Sequence, residues 1–259
     1  MKKRTLFLSS LIGIILFACG GGGGGGGTSD TGTTIIYSTD YTNRDLTKVY
    51  TFKESVVDTT DGKNTPSENT ISYTYDQVGT IPSKYGYTGT ISGPYTVETM
   101  ALNGSDKGFT YYGSSYSIIT DDSTVFTNIE HSDSSGVIPP DWTVGTVYTE
   151  SIIQDLFNSN SASVQKVGSK TTEHTLKALG LENVKVPAGT FKAAKTQEST
   201  TKTITVGSIT ETITTTSLSW YSKDVAVVKI VSNITDVSTD GFSTETLTYT
   251  VTDELTKRE

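Results

Sequence analysis

The residues whose types could carry acid–base or nucleophilic chemistry are few and widely spaced. The chain has two histidines, His131 and His174, and one cysteine, Cys19. His131 lies in a polar segment that we interpret as a loop, whereas His174 lies in a strand-like segment. Neither histidine stands in a motif that pairs it with a nucleophile or gives it zinc-ligand spacing. The sequence therefore predicts no catalytic residue, no metal site and no cofactor.

Carboxylates are the remaining reactive groups. Two loop sets, Asp58 with Asp61 and Asn64, or Asp236 with Asp240, offer the oxygen ligands that calcium prefers. Neither set follows a known calcium-loop order, so solvated turn residues are the simpler interpretation. A glycosidase would need two carboxylates gathered in one cleft. An enzyme is accordingly the third functional hypothesis, behind two that need no catalysis.

The N-terminus carries an export signal. A basic start at residues 2–4 precedes an apolar run over residues 6–17, which is too short for an ordinary membrane span. The run ends in a small residue, Ala18, followed by Cys19. This order resembles the lipobox of bacterial lipoprotein precursors, in which the cysteine receives acyl chains such as palmitate. We predict a signal peptide at residues 1–18 and lipidation of Cys19.

A glycine tract occupies residues 20–27 and leads into a short polar segment. Such a chain has no side chains to pack and loses much entropy when ordered. We interpret residues 19–34 as a flexible tether with a reach of roughly 20 Å. Gly20 replaces the aspartate of the inner-membrane retention signal, so the predicted location is the outer membrane, facing either the periplasm or the cell surface.

Charge and composition exclude some partners. Removal of the three cations at residues 2–4 changes the formal net charge from −8 to −11. Nucleic acid requires a basic footprint, so it is excluded as a partner, and anionic headgroups are disfavoured for the same reason. With 34% hydrophobic and 19% charged residues, the chain is rich in Thr, Ser, Gly and Tyr. This composition is typical of β-sheets with many turns.

The body of the chain is predicted to be one β domain over residues 35–259. Short alternating segments separated by Gly, Pro and Asn-Gly turn signals indicate an antiparallel meander. A chain of this size can bury roughly 70–75% of its unfolded surface. A seam at residues 133–141 leaves two smaller β domains as the alternative.

Residues 200–216 predict a β-hairpin. Gly207-Ser208 can form a two-residue type II′ turn, since Gly stands at its first central position. Pairing outward from this turn places Thr205 opposite Thr210 and Thr203 opposite Thr212. One face of the hairpin is then a ladder of threonines, and we expect this face to be solvated.

A more specific pattern spans residues 182–229. Residues 184–191 read V-K-V-P-A-G-T-F, and Trp220-Tyr221 and the run V-V-K at residues 227–229 follow. Alternation before Pro187 predicts a strand, a sharp corner and a second strand. The core is expected to assemble here from these residues: Val184, Val186, Phe191, Ala193, Trp220, Val225, Val227 and Ile230.

This pattern resembles a group of uncharacterised bacterial envelope proteins that look like relatives of the periplasmic lipoprotein carriers. The resemblance covers roughly residues 142–252 and implies fold and compartment only, because the group has no catalytic residues. Its members often carry two glycines after the W-Y pair, where this chain has Asp224 and Ala226. Glycine adopts positive φ freely, and neither replacement does.

The expected fold class is therefore mainly β: an antiparallel open half-barrel or curled sheet with at most one or two short helices. Ile152, Ile153, Leu156 and Phe157 recur at helical spacing across residues 149–158. We predict a short helix there. In a half-barrel it would lie over the opening, but a short surface helix without that role is the simpler interpretation.

The leading functional hypothesis is a non-catalytic envelope lipoprotein that binds a hydrophobic ligand or a protein partner. Trp142, Trp220, Ile152, Leu156 and Phe157 are the candidate wall and lid of the binding site. Tyrosines are frequent between residues 73 and 116. Their mixed character suits a sugar or lipid site, but tyrosine is also a common strand residue, and we favour that structural interpretation. The alternative is a structural or adhesive lipoprotein that acts through its outer β surface.

Overall fold

The computed structural model describes the β domain in ten segments. They are residues 34–37, 39–42, 44–62, 64–78, 95–112, 116–121, 124–135, 141–158, 165–223 and 225–259. All of these residues belong to one compact unit, Gly32–Glu259. Residues 1–31, which include the predicted signal peptide and Cys19, lie outside the described residues, as does most of the tether. Those assignments, the single domain at 35–259 and the seam at 133–141 stay predictions.

Fourteen strands make up nearly all of the described secondary structure. They are β1 (Ile35–Tyr37), β2 (Tyr50–Asp58), β3 (Thr65–Val78), β4 (Tyr95–Leu102), β5 (Ser105–Tyr112), β6 (Tyr116–Asp121), β7 (Thr124–Ser135), β8 (Asp141–Thr143), β9 (Val147–Asn158), β10 (Gln165–Val186), β11 (Gly189–Val206), β12 (Ile209–Ser222), β13 (Ala226–Thr239) and β14 (Thr244–Arg258). The helical segments are α1 (Thr39–Thr42) and a 3₁₀ turn at Thr60–Gly62.

Strand pairing is antiparallel throughout these strands. β1 pairs with β8 in a small two-stranded sheet. The other twelve strands form one curled sheet in the order β10-β11-β12-β13-β14-β2-β3-β4-β5-β6-β7-β9. The predicted mainly β, curled antiparallel fold is confirmed. β9 pairs with β7 on one side and with β10 on the other, so hydrogen bonding between strands continues around the whole order.

The helix predicted at residues 149–158 is wrong, because this segment is the strand β9. The apolar residues at 152, 153, 156 and 157 have helical spacing. In a strand the same residues fall on two faces, with 152 and 156 on one and 153 and 157 on the other. Ile152 lies half-buried and Ile153 is 55% exposed, as two faces require. Long-range pairing with β7 and β10 satisfies the backbone of β9 and overrides the local pattern.

Alternation along the strands defines an inner and an outer face of the curled sheet. In β2, Tyr50, Phe52 and Glu54 are buried, while the residues between them are half-buried. Asp253 and Leu255 of β14 lie opposite Glu54 and Phe52 and are buried as well. We call this buried face the inner face, since a sheet that pairs around its full order encloses one of its faces.

The hairpin predicted at residues 200–216 is confirmed with its register. Val206 pairs with Ile209, Thr205 with Thr210 and Thr203 with Thr212. Gly207 has a φ of +61°, as the first central position of a type II′ turn requires.

The V-P-A-G corner joins β10 to β11 through Pro187-Ala188, where Val186 pairs with Gly189. The Ala188 N–H donates to the Leu255 carbonyl at 3.0 Å, so this corner also contacts the end of β14. Val184 and Val186 are buried as predicted. The other predicted core residues divide: Ala193, Trp220, Val225 and Val227 are buried, and Phe191 and Ile230 are half-buried.

One end of the inner face is covered by the small sheet β1–β8 and by α1. Ile36 of β1, Tyr41 of α1 and Trp142 of β8 form a hydrophobic cluster with Leu176, Ala178 and Ala194 of β10 and β11. The small sheet therefore closes the inner face where β10 and β11 bend. No helix in the part of the chain that the structure describes is both long and apolar enough to cross a membrane.

Candidate functional site

The inner face carries most of the buried charge of the described residues. The buried ionisable side chains are five carboxylic acids, one arginine and one histidine: Glu54, Glu98, Glu150, Asp236, Asp253, Arg44 and His174. Buried charge is costly unless it is paired or neutralised, so these residues are the candidates for function.

Glu150 and His174 lie side by side at the centre of this set. They pair directly across β9 and β10. His174 Nε2 lies 3.5 Å from Glu198 Oε2 on β11. The second ring nitrogen of His174, Nδ1, and Glu150 Oε2 have no hydrogen-bond partner among the described residues. Burial raises the pKa of Glu150, the largest effect on this carboxyl.

The carboxylate of Glu198, next to His174, accepts hydrogen bonds from several side chains. Thr196 Oγ1 donates to its Oε1 at 2.6 Å, and the Tyr221 hydroxyl donates to the same oxygen at 2.9 Å. Burial raises the pKa of Glu198, but the hydrogen bonds from His174 and Thr196 outweigh burial and lower it overall. Tyr221 has its own pKa raised well above the usual value by burial and by Glu198. Glu198 is thus held ionised beside a neutral phenol.

Strand register extends this group into a row across four strands. Glu150 lies opposite His174, His174 opposite Thr200, and Thr200 opposite Thr215. We call Glu150, His174, Thr200 and Thr215 the polar row. Neighbouring strands lie about 4.8 Å apart, so the row spans roughly 14 Å. Asp236 is the diagonal neighbour of Thr215, because Thr215 pairs with Ile234 on β13.

Several polar atoms of this region are buried without a partner in the described structure. They are Glu150 Oε2, His174 Nδ1, Thr215 Oγ1 and Asp236 Oδ1. The four side chains are 4%, 8%, 9% and 6% exposed respectively. Most buried polar atoms in proteins are hydrogen-bonded, and an unpaired one costs about 1–3 kcal/mol. These four atoms lie on β9, β10, β12 and β13.

A second acidic group lies further along the same face. Asp253 of β14 pairs with Glu54 of β2, and Asn69 Nδ2 donates to Glu54 Oε1 at 3.0 Å. Burial, with a further contribution from the charge of Glu54, raises the pKa of Asp253 to about 7. Burial raises the pKa of Glu54 too, against the hydrogen bond from Asn69. Asp253 therefore binds and releases a proton near neutral pH.

Arg44 is the buried cation of the described inner face, and it occupies an aromatic cage. Its Cζ lies 5.2 Å, 6.0 Å and 5.4 Å from the ring centroids of Tyr50, Tyr73 and Tyr75. The guanidinium contacts the Tyr75 hydroxyl and lies 4.0 Å from Glu98 Oε2. Tyr75 in turn donates to Glu98 at 2.9 Å. The buried carboxylate of Glu98 is thus neutralised by a cation of the same chain, Arg44.

The residues predicted to form a ligand wall fall into different surroundings. Trp142 is 3% exposed and packs edge-on against Tyr221, with 6.0 Å between the ring centroids. Ile152 and Leu156 share the strand face of Glu150, and Leu156 is buried. Phe157 belongs to β9, but its side chain lies outside the described part of the molecule. Ligand binding by these residues stays a prediction.

Trp220 lies on the opposite face from Trp142 and Tyr221. Its cross-strand neighbours are Lys195 and Lys229, whose Nζ atoms lie 5.0 Å and 5.9 Å from its ring. The Trp220 Nε1–H donates to Glu182 at 2.7 Å. These lysines cover the indole, which is 8% exposed. Trp142 and Trp220 therefore do not line the same concave surface.

The polar row was missed by sequence reasoning for a specific reason. Because residues 149–158 were interpreted as a helix, it was not recognised that Glu150 and Ile152 lie on the same face of a strand. His131, interpreted as a loop residue, belongs to β7 and pairs with Tyr116 and Asp155. Alternation along β9 was the signal that could have placed Glu150 inward. Among the described residues, no three His, Cys, Asp or Glu side chains are grouped to hold a metal ion.

Comparison with known proteins gives limited matches. The DUF3108-like family matches residues 144–232, which is less than half of the chain. No curated protein matches. An exported protein with a YmcC-like fold, so described, from Bacteroides fragilis is similar at 16% identity and a TM-score of 0.34, over 85% of this chain and 98% of that one.

A second solved structure, of a Parabacteroides distasonis protein described as a lipoprotein, has 15% identity and a TM-score of 0.34. This match covers 85% of the present chain and 97% of the Parabacteroides chain. At these TM-scores neither likeness carries an argument about fold or function. What the comparisons establish is a partial match, from β9 to the first half of β13, to the DUF3108-like family.

Proposed function

We propose that this chain is a non-catalytic lipoprotein of the cell envelope that binds a small polar ligand on the inner face of its sheet. The basic start, short apolar run and Ala18-Cys19 junction support export and lipidation. Gly20 supports retention at the outer membrane rather than the inner one.

The observation that carries the binding proposal is the set of unpartnered atoms around the polar row. Glu150 Oε2, His174 Nδ1, Thr215 Oγ1 and Asp236 Oδ1 are buried without hydrogen bonds in the described structure. A ligand that supplies these bonds offsets the cost of their burial. The hydrophobic ligand expected from the sequence fits this surface poorly, because the inner face presents acids and hydroxyls there.

Binding rather than turnover suits the ionised carboxylate of the group. Glu198 already accepts hydrogen bonds from Thr196 and Tyr221 and lies against His174. The carboxylate oxygens of Glu198 therefore already bind neighbouring side chains. We assign no reaction to the site.

A surface-acting role is the second candidate. Phe242 is 98% exposed in the turn between β13 and β14. The Phe242 N–H donates to Asp240 Oδ1 at 2.9 Å, and the Ser243 N–H donates to the same oxygen at 2.9 Å, so the turn has a defined shape. An aromatic side chain held outward in this way is suited to contact another protein.

Native mass spectrometry of the full-length protein, extracted from membranes in mild detergent, tests the ligand proposal. We expect a species heavier than the acylated polypeptide by one small polar molecule. Thr215→Val removes the unpartnered hydroxyl and should lower the occupied fraction. Thr214→Val changes the exposed neighbour on the other face and should leave occupancy unchanged. Equal occupancy in both variants, or a bare polypeptide mass throughout, contradicts the proposal.

The anchor is tested separately with Cys19→Ser. Because a serine cannot receive the acyl chains of a lipoprotein, the variant should lose radiolabelled palmitate and leave the membrane fraction. A variant that stays in the membrane fraction, with its label, contradicts lipidation at Cys19.

A further inference from the structure

Resting on the proposed ligand site, we infer that the ligand is an organic cation whose ammonium groups carry several N–H donors. It lies along the polar row, between Glu150 on β9 and Asp236 on β13. Nothing in the family match assigns a ligand to these residues.

The unpartnered atoms call for hydrogen-bond donors. Glu150 Oε2 and Asp236 Oδ1 are carboxylate oxygens, which accept hydrogen bonds when ionised. Thr215 Oγ1 can accept as well as donate. His174 Nε2 faces the Glu198 carboxylate, and with the ring proton on that nitrogen Nδ1 is an acceptor too. An ammonium group has three donors and no acceptor, so it matches this set better than an anion does.

Electrostatics favours a cation for the same site. Glu211 lies near Asp236, and burial raises the pKa of both acids. Together with Glu150, they place acidic groups at both ends of the row. Two lysines, Lys170 and Lys202, share this strand face, but the four carboxylates Glu150, Glu198, Glu211 and Asp236 outnumber them, so the row attracts a cation more strongly than an anion.

Arg44 provides a precedent within the same sheet. Its guanidinium is enclosed by three tyrosine rings and approaches Glu98. Only 9% of Arg44 is exposed, so the inner face holds a desolvated cation when aromatic rings and a carboxylate surround it. The polar row has the carboxylates, and Tyr221 lies beside Glu198 at its edge.

Isothermal titration calorimetry of the full-length protein in detergent tests this inference. Spermidine is the cationic probe, because its separated ammonium groups can reach acids on different strands. Glucose is the neutral probe with many hydroxyls, and sodium chloride matches the ionic strength. We expect saturable spermidine binding that Glu150→Gln and Asp236→Asn each weaken by about tenfold or more, which is about 1.4 kcal/mol.

The control is Glu254→Gln, which removes an equal charge from the outer face and should leave spermidine affinity unchanged. Unfolding temperatures of all variants establish that each is folded. Absence of saturable spermidine binding, or equal binding by Glu150→Gln and the unmodified protein, overturns the cation inference.

The two proposals fail differently. Binding of glucose that Thr215→Val abolishes, with no response to spermidine, retains the ligand site and rejects the cation. Failure of both probes, combined with a bare mass in native spectrometry, rejects the site itself.

Discussion

Ala226 adopts a φ of +61°, in the left-handed region, although it is neither glycine nor a polar turn residue. The backbone there has a conformation that alanine disfavours by about 1–2 kcal/mol. Ala226 is also 1% exposed, which means that its methyl group is packed. Strain and packing therefore oppose one another at this residue.

Replacing Ala226 with glycine relieves that strain but loses the packed methyl and adds freedom to the unfolded chain. We expect Ala226→Gly to cost less stability than Ala194→Gly by about 1–2 kcal/mol. Ala194 is equally buried but lies in the regular strand β11. Urea unfolding of the two variants measures the difference. Equal losses would mean that Ala226 is not strained.

Asp253 makes a pH-dependent prediction. Its pKa in the folded protein is about 7, above the ordinary value of 3.8, because of burial and then of Glu54. Between about pH 4 and pH 7 the folded state holds a proton that the unfolded state has released. Stability from this group is therefore present at low pH and is lost as the pH rises, by up to about 1.4 kcal/mol per pH unit.

Asp253→Asn should flatten this dependence and be more stable than the unmodified protein at pH 8. Denaturant unfolding at pH 5 and pH 8 provides the comparison. The adjacent Glu254→Gln, on the outer face beside Lys229, should keep the slope of the unmodified protein. A slope that Asp253→Asn does not change would contradict a buried, titrating Asp253.

At the scale of elements, local chemistry predicted turns better than it predicted β9. The hairpin at Gly207-Ser208 has its register set by a two-residue turn, and so its pairing was readable from the sequence. In β9 the spacing of the apolar residues fits both a helix and a strand. Only pairing with the neighbouring strands β7 and β10 determines that the segment is a strand. Glu150 could be placed on the inner face only after that decision.

The pairing of β10 with β11 depends on a glycine near their open end. A Cβ added at Gly168 would overlap the carbonyl oxygen of Thr205 and crowd the Val206 side chain. We expect Gly168→Ala to destabilise the protein by about 1–3 kcal/mol, because a backbone atom must move. Ser169→Ala adds no atom and should cost less. Thermal unfolding of the two variants tests this, and equal midpoints would refute the close approach.

At the scale of the molecule, composition and alternation predicted a mainly β, antiparallel chain, and the resemblance to envelope proteins implied the curl of the sheet. The described strands form such a curled sheet. The distribution of buried acids was not predictable, because it depends on which of fourteen strands lie side by side. Glu54 and Asp253 are far apart in sequence and meet only through the pairing of β2 with β14. Trp142 and Trp220 were grouped as apolar residues, yet alternation places Trp220 beside two lysines.

A high-resolution crystal structure of the protein purified from its native membrane tests the central claim most directly. We expect density for a bound polar molecule within hydrogen-bond distance of Glu150 Oε2, His174 Nδ1 and Thr215 Oγ1. Density that satisfies these three atoms with protein groups alone would contradict the claim that the inner face of the sheet is a ligand site.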